Sequence, residues 1–147
     1  MGAKSIAGLG SIILLDIDYF KHYNDTHGHQ GGDEVLRMMA EVIKKEVRHS
    51  DTVARYGGEE FVVISVETDK DTVVQLAERI RKGVEKSPFP LKETQPGGNL
   101  TVSLGVASFR DDANTVQGLI KEADDALYGA KESGRNRVWF KKSLQNK

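Results

Sequence analysis

Two acidic clusters in this sequence have the residue types that phosphoryl chemistry needs. The first is Glu59 and Glu60, which follow Gly57 and Gly58 in the run Arg-Tyr-Gly-Gly-Glu-Glu-Phe at 55 to 61. A β-type run ends at Tyr56 and another spans Phe61 to Val66, so the glycines fall at a hairpin bend. There they can take the positive φ angles of a tight two-residue turn and let a bulky ligand approach the backbone. The two carboxylates supply hard oxygen ligands of the kind Mg²⁺ prefers. The second cluster is Asp16-Ile-Asp18-Tyr-Phe-Lys21-His-Tyr-Asn24-Asp25, with acids, a lysine and an amide at one strand end and the turn after it. A central strand and a neighbouring hairpin that deliver carboxylates to one sheet edge would form a two-point clamp for Mg²⁺ on nucleotide phosphates, as two-metal phosphoryl transfer requires. The alternative is ordinary: Asp16 and Asp18 cap the next turn, and Lys21 is a solvated side chain.

A third group, Lys131-Glu-Ser-Gly134-Arg135-Asn136-Arg137, places cations at the end of a helix. They either complement the helix dipole or neutralise a triphosphate. His22, His27 and His29 read as surface or hydrogen-bonding histidines, and His27-Gly-His29 lacks the spacing and further ligands of a zinc site.

These side chains must be positioned by a sheet and its helices. Ile12 to Ile17 is a continuous apolar run closed by acids, the pattern of a strand buried on both faces. The spacing of Leu36, Met39, Ala40, Ile43 and Val47 predicts a helix from Gly32, with Asp33 in its first turn. Thr52 to Tyr56 and Phe61 to Val66 form the hairpin. A second helix starts near Asp71 with Val73, Leu76, Ala77, Ile80 and Val84 inward, and Ser87-Pro88 stops it. Leu100 to Phe109 alternates as a strand. A third helix carries Val116, Leu119, Ile120, Ala123, Leu127 and Ala130, Gly134 ends it, and Arg137 to Phe140 is a short last strand. The order β-α-β-β-α-β-α-β is that of an α+β, ferredoxin-like split βαβ sheet flanked by helices.

Composition narrows the function classes. The 147 residues suit one core, and a net charge of -1 gives no basic field for nucleic acid. The absence of cysteine removes disulfides, thiolate catalysis and cysteine-bound zinc, and is compatible with a reducing cytoplasm. The longest apolar stretch, Ile12 to Leu15, falls far short of the roughly 20 residues that span a bilayer, so no membrane contact is expected. Residues 1–11, small and Gly-rich, read as a linker or expression remnant, 12–141 as the folded catalytic unit, and 142–147 as a tail.

Taken together, these motifs resemble the GGDEF domain family, the diguanylate cyclases of bacterial second-messenger signalling. The resemblance rests on Asp-Ile-Asp-Tyr-Phe-Lys-His-Tyr-Asn-Asp at 16–25, Gly-His-Gln-Gly-Gly-Asp at 28–33, Gly-Gly-Glu-Glu-Phe at 57–61, Val-Ser-Leu-Gly-Val at 102–106, Ala-Asp-Asp-Ala-Leu-Tyr at 123–128 and Gly-Arg-Asn-Arg at 134–137. The family's opening helix, with its Asp-x-Leu-Thr-Gly-Leu-x-Asn-Arg-Arg signature, has no counterpart in residues 1–11. The implied fold is the palm-type sheet of nucleotidyl cyclases.

The implied reaction condenses two GTP into cyclic di-GMP and two pyrophosphates in a homodimer, with an upstream sensory or dimerising domain in the parent protein. The implied cofactor is Mg²⁺, two per active site, with Mn²⁺ an alternative. Asp16, the Ile17 carbonyl and Glu59 would hold metal, Glu59 would take the proton of the attacking hydroxyl, and Glu60 would assist or stabilise the turn. Tyr19, Phe20, Lys21, Lys131 and Arg135 would grip phosphates, and Asn24 and Asp33 would read guanine. Arg48 and Asp51, with Arg79, match the family's inhibitory product site. The alternative implied function is a weak or inactive domain that serves as a nucleotide-binding module or scaffold.

Overall fold

The computed structural model describes residues 10–142. Along them run β1 (Ser11–Ile17), α1 (Phe20–Glu46), β2 (Thr52–Arg55), β3 (Glu60–Ser65), α2 (Lys70–Lys86), two 3₁₀ turns (Lys92–Thr94 and Pro96–Gly98), β4 (Val102–Ser108), α3 (Val116–Glu132) and β5 (Val138–Phe140). The five strands lie in the order β2-β3-β1-β4-β5. All neighbours are antiparallel except β4 and β5, which are parallel. The linker expected at 1–11 lies outside the described residues as far as residue 9, and so does the tail from 143. β1 begins at Ser11, one residue before the expected start of the folded unit, and the Ser11 hydroxyl donates to the Thr68 carbonyl at 2.8 Å.

The continuous apolar run of β1 follows from its central place, since β3 and β4 flank it and helices cover both faces. Ile13, Leu15 and Ile17 share a core with Phe61 and Val63 of β3, Tyr23, Val35, Met39 and Ile43 of α1, and Val73, Ala77 and Ile80 of α2. Ile12 and Leu14 point the other way, onto Leu119, Ala123 and Leu127 of α3. Leu15 is fully buried, and Leu15→Ala would cost about 2–5 kcal/mol, transfer and cavity together. Asp69 caps α2, its carboxylate accepting from the Thr72 N–H at 2.9 Å, and Thr115 caps α3 in the same manner through the Gly118 N–H at 3.0 Å.

Two expectations need correction. The first helix starts at Phe20, not Gly32, and runs through a break at Gly28, whose φ of 85° and ψ of 166° interrupt the helical path. Glycine takes that conformation without steric cost, so the polar stretch that reads as a loop is a helical turn and a kink. The hairpin is not a two-residue turn. The Tyr56 N–H donates to the Glu60 carbonyl at 2.8 Å and Arg55 pairs with Phe61, so the chain reverses over Gly57, Gly58 and Glu59. Neither glycine takes a positive φ, because a three-residue loop does not impose the mirror-image geometry of the shorter one.

Candidate active site

The ends of β1 and β3 bring the two acidic clusters together. Asp16 and Glu60 are register partners across the β1–β3 ladder, and the Ile17 N–H donates to the Glu59 carbonyl at 3.3 Å. Asp16 is buried, and one of its carboxylate oxygens accepts from Lys131 Nζ of α3. Its other oxygen, Oδ1, is buried with no hydrogen-bond partner among the described residues. Burial pushes the Asp16 carboxyl above its ordinary range, against the pull of Lys131. Burial and the charge of Asp16 likewise raise Glu59 and Glu60.

A cavity of about 240 Å³ opens at this point. Asp16, Ile17 and Glu59 form its acidic wall, while Lys21, Lys131 and Arg135 supply cations and Tyr19 and Phe20 close it. Glu60 does not line it. A metal ion fits this arrangement on three counts: hard oxygen donors, an orphaned buried oxygen on Asp16, and a lysine already placed as counter-charge. Among the described residues no group of three or more acidic or histidine side chains converges as a metal site, so a cation here would rely on two carboxylates, backbone and ligand oxygens.

A second cavity, about 560 Å³, shares Phe20, Lys21 and Glu59 with the first and extends along α1 to Asn24 and Asp33. The kink at Gly28 brings those two, nine positions apart, to one lining. Asn24 Oδ1 is buried without a partner among the described residues, pressed against Gly32, where an added Cβ would come within 1.8 Å of it. Lys21 is exposed and paired with Asp25 at 3.0 Å. Gly58 borders the cavity, and nothing stands within 4 Å of a Cβ added there, so the loop leaves room for a ligand.

The model of the family described as diguanylate cyclase, GGDEF domain, matches residues 3–137. The chain belongs to the GGDEF domain family. It is 44% identical over 133 residues to diguanylate cyclase A of Treponema denticola, covering 90% of this chain and 35% of that protein. The chain thus spans about a third of that relative's length. Among solved structures, the active GGEEF domain of a diguanylate cyclase from Vibrio cholerae superposes with a TM-score of 0.84 at 33% identity, covering 96% of this chain and 88% of that one. The coiled coil and GGDEF domain of DgcB from Caulobacter crescentus, solved in complex with c-di-GMP, gives 0.82 at 36% identity, covering 95% and 73%.

The GGDEF chain holds its expected product-site residues at the far end of α1. Arg48 donates to Asp51 Oδ1 at 3.1 Å, to the Val66 carbonyl at 2.9 Å and to Thr68 Oγ1 at 2.7 Å. Burial would raise Asp51, but hydrogen bonds from the Arg48 N–H, the Arg48 guanidinium and Ser65 outweigh it and hold its carboxyl below the usual range. Arg79 of α2 pairs with Glu46 at 3.4 Å. Both arginines are half exposed and therefore reachable, yet each has a partner within the chain.

Sequence reasoning missed three residues. Arg55 and His29 line the larger cavity, and Arg55 donates to the Gly58 carbonyl at 2.9 Å, bracing the hairpin loop. Only the helix beginning at Phe20 would have placed His29 there. Asp18, for which the sequence offers a place in the acidic cluster or a turn cap, is a buried hub that accepts from Thr101, Ser103 and the Asn136 N–H.

Proposed function

We propose that this chain, with residues 12–141 as its catalytic unit, is a diguanylate cyclase that condenses two GTP into cyclic di-GMP. The supporting observation is the continuity of the two cavities through Phe20, Lys21 and Glu59, acidic and cationic at one end and lined by Asn24 and Asp33 at the other. A nucleotide laid along them sets its triphosphate against Lys21, Lys131 and Arg135 and its base against Asn24 and Asp33. Guanine offers N1–H and a 2-amino group to an aspartate, whereas adenine presents an acceptor there, so Asp33 favours GTP. Lysines act as point charges on phosphate, and Arg135 can grip it bidentately.

Asp16, Glu59 and the Ile17 carbonyl would hold two Mg²⁺ per site, or Mn²⁺ in their place. When bound, the metal would lower the pKa of the attacking 3′-hydroxyl and offset charge on the triphosphate. Glu59 is placed to take the hydroxyl proton, its carboxylate standing on the wall of the cavity where that hydroxyl would lie. The 3′-oxygen then bonds to the α-phosphorus of a second GTP, the α–β bond breaks and pyrophosphate leaves. Each chain carries one such site, so both bonds require two chains face to face, and fixing their geometry supplies much of the rate. An upstream sensory or dimerising domain would fix it. Arg48, Asp51 and Arg79 would take the product as a feedback inhibitor.

The deciding experiment is incubation with GTP and Mg²⁺ at several protein concentrations, with product quantified. Cyclic di-GMP formed with second-order dependence on protein is the expected result. Tight binding of cyclic di-GMP without turnover at any concentration would favour a nucleotide-binding module instead.

A further inference from the structure

Where α3 ends, three consecutive residues take positive φ: Gly134 at 129°, Arg135 at 65° and Asn136 at 48°. Arginine adopts this region at a backbone cost, so neighbouring structure must hold it there. Three elements do so. At the end of β1 the carboxylate of Asp18, buried and already accepting from Thr101 Oγ1 at 2.7 Å and Ser103 Oγ at 2.6 Å, accepts the Asn136 N–H at 3.0 Å. From α2, Arg81 Nη1 donates to Asn136 Oδ1 at 3.1 Å, while Asn136 Nδ2 donates to Glu85 Oε2 at 2.8 Å. At the end of α3, the Arg135 N–H donates to the Ala130 carbonyl at 2.9 Å.

The loop held in this way aims Arg135. Its guanidinium carbon lies 4.8 Å from the ring centroid of Tyr19, itself in the left-handed region at the start of α1. Arg135 stands on a wall between two spaces. On one side is the cavity of Asp16 and Glu59; on the other is a cleft of about 380 Å³ lined by Glu85, Asn99 and Thr101. The cleft contains an acid that could draw Arg135 away from the ion cavity. The Asn136 amide occupies one oxygen of that acid, and Arg81 reaches its other at 3.5 Å.

We propose that Asn136 is a positioning residue that locks the left-handed turn and occupies Glu85, so that Arg135 is presented over Tyr19 to the phosphates of a bound nucleotide. The proposal rests on the phosphate role given to Arg135 above, and its test separates the two. Asn136→Gly is the informative variant, because glycine keeps the turn and the N–H to Asp18 and deletes only the side-chain bridge.

In the wild type, ring current from Tyr19 shifts the Arg135 Hε proton upfield; in Asn136→Gly that NMR shift should relax toward its value in Tyr19→Leu. In titrations with guanosine 5′-(β,γ-imido)triphosphate and Mg²⁺, Asn136→Gly should weaken binding about tenfold, the scale of one charge-assisted hydrogen bond, and leave guanosine binding unchanged. Combined with Arg135→Ala it should add nothing to that single loss. An unmoved Hε shift, equal weakening of guanosine, or additive losses overturns the positioning role alone. A moved Hε shift with Arg135→Ala binding the analogue as tightly as wild type overturns the phosphate role of Arg135, and the positioning role with it.

Discussion

Lys131 and Asp16, separated by 115 positions in sequence, meet in an ion pair between α3 and the end of β1. Lys131 holds one oxygen of a buried carboxylate whose other oxygen has no partner among the described residues. Removing the lysine leaves that charge uncompensated, which costs about 1–3 kcal/mol. Lys131→Ala should therefore melt lower than wild type, and Mg²⁺ should restore more stability to the variant, because the cation replaces a counter-charge the wild type already owns. Thermal melts of both proteins with and without Mg²⁺ check this; an equal Mg²⁺ response would separate Asp16 from the metal.

Burial and the neighbouring Asp16 charge raise the Glu59 carboxyl. An acid whose pKa is raised in the fold binds more protons folded than unfolded, so its ionisation subtracts stability as pH climbs from the ordinary glutamate value through the folded one. Glu59→Gln removes that penalty. The variant should melt about 1–3 °C above wild type near neutral pH, the scale of a partly screened charge, with no gain well below the ordinary glutamate pKa of about 4.3. Melting curves across that range measure it, and a gain that grows toward acid pH would contradict the assignment.

How much of this was legible in the sequence depends on the period of each segment. Val73, Leu76, Ala77, Ile80 and Val84 recur at helical spacing and all are buried in α2, while the unbroken apolar run at Ile12 is the central strand. Asp16 and Glu59 were legible as neighbours because one stands near the end of the central strand and the other in the hairpin loop that leads into the strand beside it. The start of α1 was hidden: glycines at 28, 31 and 32 mask its period, and the single φ reversal at Gly28 cannot be read from residue type. The roles of Asp18 and Asn136 were hidden for a different reason. Their contacts span 118 positions, and nothing local distinguishes a capping acid from a buried hub.

Variants of Arg48 and Arg79 would separate the proposed product feedback from stability. Arg48 braces the segment from Asp51 to Thr68, so Arg48→Ala should lose inhibition by cyclic di-GMP and also about 1–3 kcal/mol of stability by taking the guanidinium from Asp51, whose buried side chain keeps only the residue-48 N–H and Ser65 as donors among the described residues. Because the fold depresses the Asp51 pKa, the stability it contributes is present above the ordinary aspartate value and is lost as pH falls through the folded one. Among the described residues Arg79 pairs only with a partly exposed Glu46, so Arg79→Ala should reduce inhibition with a cost below about 1 kcal/mol. Inhibition curves and denaturant melts of the two variants give both quantities. Retained inhibition in both would remove these arginines from any product site.

Gly32 and Asp33 offer separate handles on the proposed base recognition. A methyl group at Gly32 would stand 1.8 Å from Asn24 Oδ1 and 3.2 Å from the Phe20 ring, so Gly32→Ala must push the amide out of the place where it faces the cavity. The helix itself tolerates the change, since alanine is the better helix former by about 1 kcal/mol. The variant should therefore stay folded, bind GTP about tenfold more weakly, as expected for one lost hydrogen bond, and keep its affinity for inorganic triphosphate. Asp33→Ser acts on selectivity rather than room: it replaces an acceptor for guanine with a hydroxyl that can also donate, so the ratio of GTP to ATP binding should fall. Competition binding of GTP, ATP and triphosphate to both variants resolves the two effects. An unchanged GTP preference in Asp33→Ser, or equal losses of GTP and triphosphate in Gly32→Ala, would move the base away from Asn24 and Asp33.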